Sequence, residues 1–236
     1  MTPVALPLPP AFRPYTWAAS SAEIAARHGL RPEQILRFDQ NTPPLPGVPR
    51  VPLAQSFARL NDYPDGTYRE LREAAAAYCG ADVDQIVVGA GADELIALCA
   101  RTYLGPGRRA AVTPPTYGLY RIVTELEGAE VVAEPDGAAV IWVCNPNNPT
   151  GELREPAELA ALARAQPEAI VVVDEAYFEY AGATCIPRIA EQANLIVLRT
   201  LSKAFGLAAL RVGYAVASPG AAAELDRRRP PASVSA

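Results

Sequence analysis

Lys203 is the residue whose type and setting point most directly to covalent chemistry. It is the only lysine of the chain, and the other basic side chains are arginines. A lysine can lose its proton and act as a nucleophile or base, whereas an arginine stays charged. Thr200 and Ser202 flank Lys203, and Arg211 follows eight positions later, within the stretch IVLRTLSKAFGLAALRVGY. This neighbourhood is typical of a Schiff-base lysine beside a bound phosphate, although a lone lysine is more often a surface residue.

Four other stretches carry groups that suit such a site. GAGADE (residues 89–94) opens a predicted helix after a strand, and the free amides at such a helix start bind anions. It does not match a Rossmann dinucleotide loop, which would need glycine in place of Glu94. Asp174 follows VVV and is suited to pairing with a pyridinium nitrogen or to capping the next helix. Asn148 lies in NPNNPTG, a run of turn formers that also predicts a plain tight loop. Tyr117, in PPTYGLY, is suited to stacking on a ring or to packing in the core.

Short apolar runs alternate with helical patterns and predict the elements that position these groups. Such alternation indicates an α/β fold with a mainly parallel sheet of seven strands, covered by helices on both faces. Ligands bind at the carboxyl ends of strands in such sheets, and the candidate groups follow strand ends. The predicted strands are 85–88, 110–113, 130–133, 139–144, 169–173, 195–199 and 212–217, and the predicted helices are 20–27, 67–78, 92–103, 117–126 and 156–164.

The proline-rich start of the chain predicts an N-terminal arm over residues 1–50, ahead of a large domain over residues 51–236. Its last part, NTPPLPGVPRVP (residues 41–52), is too rich in proline for a regular ladder and is expected to be extended. An arm with little core of its own is expected to lie across another surface, such as a second subunit.

Composition argues against several other functions. The net charge of -5 gives no electrostatic basis for binding nucleic acid, and the one basic cluster, residues 227–229, is expected to be a solvated helix end. No apolar run reaches the roughly 20 residues of a membrane span, and the start lacks the basic region of a signal peptide. The four cysteines are widely spaced, as expected of reduced thiols in a cytoplasmic protein. One histidine, His28, argues against a histidine-based metal site or triad.

In this order, the motifs resemble those of fold-type I pyridoxal-phosphate enzymes, and specifically the class I/II aminotransferases of the histidinol-phosphate type. The resemblance spans about residues 38–231 and is carried by YPDGTYRELREAAAAY, GAGADELI, PPTYGLY, NPNNPTG, VVVDEAYFEY and TLSKAFGLAALRVGY. It implies the large domain of that fold, pyridoxal 5'-phosphate as cofactor, and transfer of an amino group from an amino acid or amine, histidinol-phosphate-like or aromatic, to a 2-oxo acid.

The resemblance also implies a role for each matching residue. Lys203 would form the Schiff base and then move a proton, and Asp174 would pair with the pyridine nitrogen. Tyr177 and Asn148 would hydrogen-bond the ring oxygen, and Tyr117 would stack on the ring. Lys203, Asp174 and Tyr177 form the implied catalytic set.

The implied phosphate site includes a residue from a second subunit. Tyr63 would reach the phosphate of the neighbouring subunit's cofactor, so the resemblance implies a homodimer. Within one chain, Ala92 and Asp93 would contact the phosphate through the backbone and a helix cap, and the other implied contacts are Thr200, Ser202 and Arg211.

One departure from the family pattern is the C-terminal small domain, which normally carries a substrate-clamping arginine and is absent from this sequence. We therefore expect a complete cofactor site and an incomplete substrate site. Two alternatives stay open: a non-catalytic remnant that binds the cofactor, and a decarboxylase of phosphorylated amino acids, which the absent residues would help to distinguish.

Overall fold

The seven-stranded sheet expected from the sequence is present. The computed structural model describes residues 8–43 and 61–235. In these residues the strands are β1 (Ile86–Gly89), β2 (Arg109–Val112), β3 (Glu130–Val132), β4 (Val140–Cys144), β5 (Ile170–Asp174), β6 (Leu195–Thr200) and β7 (Gly213–Ala217). The helices are α1 (Ser21–His28), α2 (Arg69–Cys79), α3 (Gly91–Tyr103), α4 (Leu119–Leu126), α5 (Pro156–Ala165), α6 (Phe178–Ala181) and α7 (Pro219–Asp226).

The strand order is β1-β7-β6-β5-β4-β2-β3. Strands β2 to β6 run parallel, while β7 is antiparallel to both β1 and β6. In register, Cys144 lies beside Asp174, and Asp174 lies beside Leu198. The prediction of a mainly parallel sheet is therefore confirmed, and the ends of β4, β5 and β6 meet at one edge.

The central strands are apolar because the sheet is covered on both faces. Val171 and Val173 point into one apolar cluster, and Val172, which lies between them, points into the other. All three valines are fully buried. Burial on both faces produces continuous apolar runs rather than the alternation of a half-exposed strand, and for this reason the strands could be found in the sequence.

The helices begin and end within two residues of the predicted positions where the sequence supplies a cap. Ser20 and Glu23 form a reciprocal capping box at α1, and Gly29 ends this helix in the left-handed region. Helix α4 begins two residues later than predicted, so Tyr117 lies in the loop before it. Helix α7 was not predicted, although Ser218 as N-cap and Pro219 at the first position are recognised start signals.

The end of the described chain packs back onto the turn before α2. We had expected residues 227–229 to form a solvated helix end, but the Arg229 side chain is only 8% exposed. Its guanidinium lies 4.9 Å from the centre of the Tyr68 ring and donates to the Gly66 carbonyl. The Tyr68 hydroxyl also bonds both the N–H and the carbonyl of Val234. The expectation for Arg229 was therefore wrong, because the cation covers an aromatic ring.

Two predictions about the start of the chain fall largely outside the described residues. Most of the expected extended segment 41–52 and the boundary at residue 50 lie there. In the part of the chain described, no helix is both long and apolar enough to cross a membrane.

Candidate active site

A cleft of about 790 Å³ lies at the carboxyl ends of β4, β5 and β6. Tyr63 is the exception among the predicted site residues, since its side chain is 90% exposed and does not line this cleft. The structure brings all the other predicted site residues together around the cleft, namely Ala92, Asp93, Tyr117, Asn148, Asp174, Tyr177, Thr200, Ser202, Lys203 and Arg211.

One end of the cleft is built to bind an anion. The N-terminus of α3 points its free amides there, and Gly91 occupies its first turn with φ +78. A Cβ on Gly91 would come within 2.7 Å of Arg211 Nη2, so glycine is what allows the guanidinium to approach the helix end. Arg211 also contacts the Ser202 hydroxyl at 3.4 Å. Amides, a guanidinium and hydroxyls together form a phosphate-type donor set.

Asp93 does not cap this helix, contrary to our expectation. The N-cap is Ala90, whose N–H is accepted by the Glu94 carboxylate at 2.6 Å. Asp93 instead accepts from Arg211 Nη2 and from the Tyr117 hydroxyl, each at 3.1 Å. Glu94 serves the cap position, and Asp93 positions Arg211 and Tyr117 instead.

Two buried hydroxyls follow β6. Thr200 donates to Ser202 Oγ at 2.9 Å and accepts the Ser202 N–H at 3.2 Å. Ser202 is 8% exposed and Thr200 4% exposed. This interlocked turn fixes both hydroxyls beside Arg211, one residue before Lys203.

Asp174 is a carboxyl group held in an apolar setting. It is 3% exposed, and burial raises its pKa from 3.8 to about 6. The Tyr120 hydroxyl donates to Oδ2 at 2.8 Å, and the Ala176 N–H donates to Oδ1 at 3.1 Å. The alternative that Asp174 caps the next helix is wrong, because the N-cap of α6 is Tyr177. The bond to Ala176 closes a local turn, and Asp174 lines the cleft.

Lys203 is half-buried at the floor of the cleft. Burial lowers the pKa of its amine, and the negative charges of Asp93 and Asp174 raise it by less. Its Nζ donates to the Gln40 carbonyl at 3.0 Å and lies 5.7 Å from the centre of the Tyr177 ring. An amine with a lowered pKa is neutral in a larger fraction of molecules, as a nucleophile or base requires.

The loop carrying Asn148 is held by its neighbours. Asn147, which the sequence analysis did not single out, binds Thr116 Oγ1, the Pro115 carbonyl and Thr150 Oγ1. The Asn148 N–H donates to Cys144 Sγ at 3.3 Å. These bonds fix the turn at the cleft.

Several residues lining the cleft were missed by sequence reasoning. Gln40 and Asn41 follow α1 by many residues, and Asn41 Nδ2 donates to the Tyr177 hydroxyl at 3.1 Å. Tyr15 packs edge-on against Trp17 and Tyr117, with ring centres 5.0 and 6.5 Å apart. No motif marks these positions; only the return of the N-terminal segment over the sheet brings them to the cleft.

This donor set fits pyridoxal phosphate. Amides, Arg211 and hydroxyls suit a phosphate, the buried Asp174 suits a pyridinium nitrogen, and Lys203 suits an aldehyde. The cradle at Gly91, which a Cβ would fill, is the structural observation that supports an anion at this position. Among the described residues no cluster of histidine, cysteine or carboxylate side chains is suited to a metal ion.

Comparisons with known proteins agree with this geometry. The profile of the family "Aminotransferase class I and II" matches residues 33–236. A histidinol-phosphate aminotransferase of Symbiobacterium thermophilum is 37% identical over an alignment of 244 positions, gaps included, that covers 94% of this chain and 67% of the relative. This chain therefore spans about two thirds of the length of that relative.

Solved structures give the same fold. Histidinol-phosphate aminotransferase from Sinorhizobium meliloti, in complex with pyridoxal-5'-phosphate, superposes with a TM-score of 0.81 at 26% identity, covering 96% of this chain and 68% of that one. L-threonine-O-3-phosphate decarboxylase from Porphyromonas gingivalis superposes with a TM-score of 0.71 at 24% identity, covering 78% and 63%, and shows the fold alone. The family profile and the identity to curated relatives together show that the chain belongs to the class I and II aminotransferases, which act with pyridoxal phosphate.

Proposed function

We propose that this protein transfers the amino group of a histidinol-phosphate-like or aromatic donor to a 2-oxo acid, with pyridoxal phosphate bound at Lys203. The donor class is supported by the names of the relatives, which are histidinol-phosphate aminotransferases. It is also supported by Tyr15, Trp17 and Tyr117, whose rings line the cleft.

One observation carries the proposal. The only lysine of the chain lies half-buried in a cleft that also holds a buried carboxylate and an arginine at a helix N-terminus. Asp174 ends β5, and Lys203 and Arg211 lie in the connection between β6 and β7. Packing alone gives no reason to gather them around one cleft.

The residues divide the work of the reaction. When bound, pyridoxal phosphate supplies a carbonyl carbon that accepts the amino group and a ring that accepts electrons. Arg211, Ser202, Thr200 and the amides of α3 would hold the phosphate. Asp174 would keep a proton on the ring nitrogen by placing a negative charge beside it.

Lys203 has two roles at one atom. Its Nζ would bind the aldehyde carbon of the cofactor with loss of the aldehyde oxygen as water. When the donor amine displaces it, Nζ would take the proton from the donor Cα and deliver it to that same cofactor carbon. Tyr177 and Asn148 would orient the ring through its oxygen, and Tyr117 would cover one face of the ring.

We also propose that two chains form a homodimer in the cytoplasm. The exposed Tyr63 side chain, which does not line its own cleft, is available to a partner's phosphate. All four cysteines are free, as expected in a reducing compartment.

Borohydride reduction in the presence of pyridoxal phosphate tests the attachment site. We expect one pyridoxyl group per chain, mapped by peptide mass spectrometry to Lys203, and none in Lys203→Arg, which keeps the charge. Because the chain has a single lysine, the only competing amine is the N-terminus. Label at the N-terminus alone would contradict the proposal.

A second assay separates transamination from the alternatives. With histidinol phosphate and 2-oxoglutarate, we expect glutamate to form and the Lys203→Arg variant to form none. Carbon dioxide release from phosphothreonine would favour a decarboxylase. A labelled Lys203 without turnover of any donor would favour a cofactor-binding remnant.

A further inference from the structure

Tyr120 is the one fully buried tyrosine that touches the candidate catalytic set. It belongs to α4, is 0% exposed, and does not line the cleft. Its hydroxyl donates to Asp174 Oδ2 at 2.8 Å. It therefore contacts Asp174 from behind, on the side away from the cleft.

The Tyr120 ring is fixed in place from several directions. It stacks on the Trp142 ring of β4, with centres 5.4 Å apart and planes at 9°. The Thr124 hydroxyl donates to the Tyr120 carbonyl at 2.8 Å and accepts the Trp142 indole N–H at 3.2 Å. Tyr117 packs against the ring edge at 5.7 Å. A phenol held this firmly can aim its hydroxyl at one oxygen of Asp174.

Asp174 needs such a donor because burial opposes its charge. Its other oxygen accepts a single backbone N–H, from Ala176. Burial outweighs these two hydrogen bonds, since the pKa of Asp174 is still raised to about 6. Without the Tyr120 bond, the carboxyl would hold its proton to still higher pH.

We propose that Tyr120 is a positioning residue, whose hydroxyl keeps Asp174 ionised and oriented at the carboxyl end of β5. This inference rests on the proposed function, because Asp174 acts there as the partner of the ring nitrogen. Tyr120 itself touches neither cofactor nor substrate. It acts through Asp174.

Other groups also act on Asp174, and the test must keep them constant. Lys203 lowers its pKa and Asp93 raises it through charge. The remaining ionisable neighbours that interact with Asp174 are Cys144, Tyr117 and Tyr177. Tyr120→Phe removes one hydroxyl and keeps the stacked ring. Tyr117 and Tyr177 are unchanged in this variant, while the Cys144 thiol loses its hydrogen bond with the Tyr120 hydroxyl.

The experiment titrates Asp174 in the protein without cofactor, by NMR of aspartate labelled at the side-chain carboxyl. Asp174→Asn identifies the resonance. In Tyr120→Phe we expect the pKa of Asp174 to rise by roughly one unit or more, since a hydrogen bond to the charged form has been lost. Tyr214→Phe, a buried tyrosine on the opposite face of the sheet, is the matched control and should leave the titration unchanged.

A second readout follows the affinity for pyridoxal phosphate across pH. As the pH falls, the protein should lose affinity for pyridoxal phosphate when Asp174 becomes protonated. In Tyr120→Phe we expect this loss at a higher pH than in the wild type, displaced by the same amount as the pKa of Asp174. In alkaline solution the affinity of the variant should recover. A purely structural role would weaken binding at every pH. An unchanged Asp174 titration, or a loss that does not depend on pH, would overturn the proposal.

Two further outcomes are separable. If Tyr120→Phe does not fold, Trp142→Phe removes the stacked indole and keeps the hydroxyl, and it should raise the pKa of Asp174 by a smaller amount; no rise would overturn the proposal. If the wild type binds no pyridoxal phosphate, the proposed function fails, while the Asp174 titration still decides the role of Tyr120.

Discussion

At the scale of single residues, the site gathers groups whose ionisation is displaced by burial. Lys203 and Asp174 are both shifted toward their neutral forms, the amine downward in pKa and the carboxyl upward. In the folded chain without cofactor, burial makes each charged form less favourable than it is in water. A bound pyridinium ring would offset the cost at Asp174, so the shifts suit a site completed by a cofactor.

Asp174→Asn is expected to stabilise the cofactor-free protein above pH 6. A carboxyl whose folded pKa exceeds its unfolded value binds more protons when folded, so stability falls as pH rises from about 4 to about 6. A pKa raised from 3.8 to about 6 corresponds to a cost of up to about 3 kcal/mol at neutral pH. The variant removes this cost, so its free energy of unfolding, measured in urea at pH 8, should exceed that of the wild type by most of this amount.

The advantage of Asp174→Asn should shrink as the pH falls below about 6 and should vanish below the unfolded pKa of 3.8, where the wild-type carboxyl is protonated in both states. The exposed Asp84, changed to Asn, is the control and should show no such trend. A destabilised Asp174→Asn at pH 8 would show that the hydrogen bonds from Tyr120 and Ala176 outweigh burial.

At the scale of elements, the ends of β5 and β6 are tied together by a buried ion pair. Arg199 of β6 contacts Glu175 at 2.8 Å and also donates to Thr184 Oγ1 at 2.9 Å. Glu175 accepts the Cys185 N–H at 2.6 Å, and the guanidinium lies 3.5 Å from the centre of the Phe178 ring. The pair lies one residue from Asp174 and one from Thr200.

Arg199→Met should destabilise the protein by about 3–5 kcal/mol, because it leaves the buried Glu175 charge without its partner. The matched control is Arg188→Met, whose pair with Glu191 is exposed and should cost less than about 1 kcal/mol. Urea unfolding measures both. Replacing Arg199 and Glu175 together by apolar residues should recover part of the loss; equal losses in single and double variants would contradict this account.

The junction between α3 and the sheet depends on Gly213, the first residue of β7. A Cβ there would lie 2.8 Å from both the Arg199 carbonyl oxygen and the Gly91 carbonyl carbon. Gly213→Ala should therefore cost about 1–3 kcal/mol through overpacking, and it should weaken pyridoxal phosphate binding by moving the α3 amides.

Gly220→Ala is the control for Gly213→Ala. Gly220 lies in α7 with open space around its Cβ position, so alanine there should be neutral or slightly stabilising. Thermal unfolding and equilibrium dialysis with pyridoxal phosphate separate the two effects. Normal stability and binding in Gly213→Ala would show that the helix end can shift at no cost.

At the scale of the whole molecule, the strands and most of the site were predictable, while the contacts that cross the fold were not. The two-sided burial of β4, β5 and β6 leaves apolar runs in the sequence, and Asn148, Asp174 and Lys203 lie at or just after the ends of these runs. Tyr120 carries no such mark. Its role arises from the packing of α4 against the sheet, which places its hydroxyl against a carboxylate 54 positions away.

The N-terminal segment shows the same limit. Gln40 and Asn41 reach the cleft from a proline-rich stretch that has no periodic pattern. The bond between Lys203 and Gln40 joins residues 163 positions apart, and the bond between Asn41 and Tyr177 joins residues 136 positions apart. Local spacing carries no information about such pairs.

The proposed homodimer can be tested by mixing two variants that are each defective. Tyr63→Ala should bind pyridoxal phosphate weakly, because its partner's phosphate loses a contact, and Lys203→Ala should form no reducible adduct. In a mixed dimer, the chain with Lys203 receives Tyr63 from the other chain, so one of the two sites is complete. Mixing after mild dissociation should therefore restore tight binding and reducible label on the Tyr63→Ala chain.

A site built within one chain predicts a different result of the mixing experiment. If Tyr63 served its own chain, the mixture would restore nothing, because the chain with Lys203 would still carry the Tyr63 defect. Tyr78→Phe, another partly exposed tyrosine, is the control and should bind normally without mixing. Sedimentation of the unmixed wild type as a monomer, with tight cofactor binding, would exclude the shared site, since the exposed Tyr63 would then have no phosphate within reach.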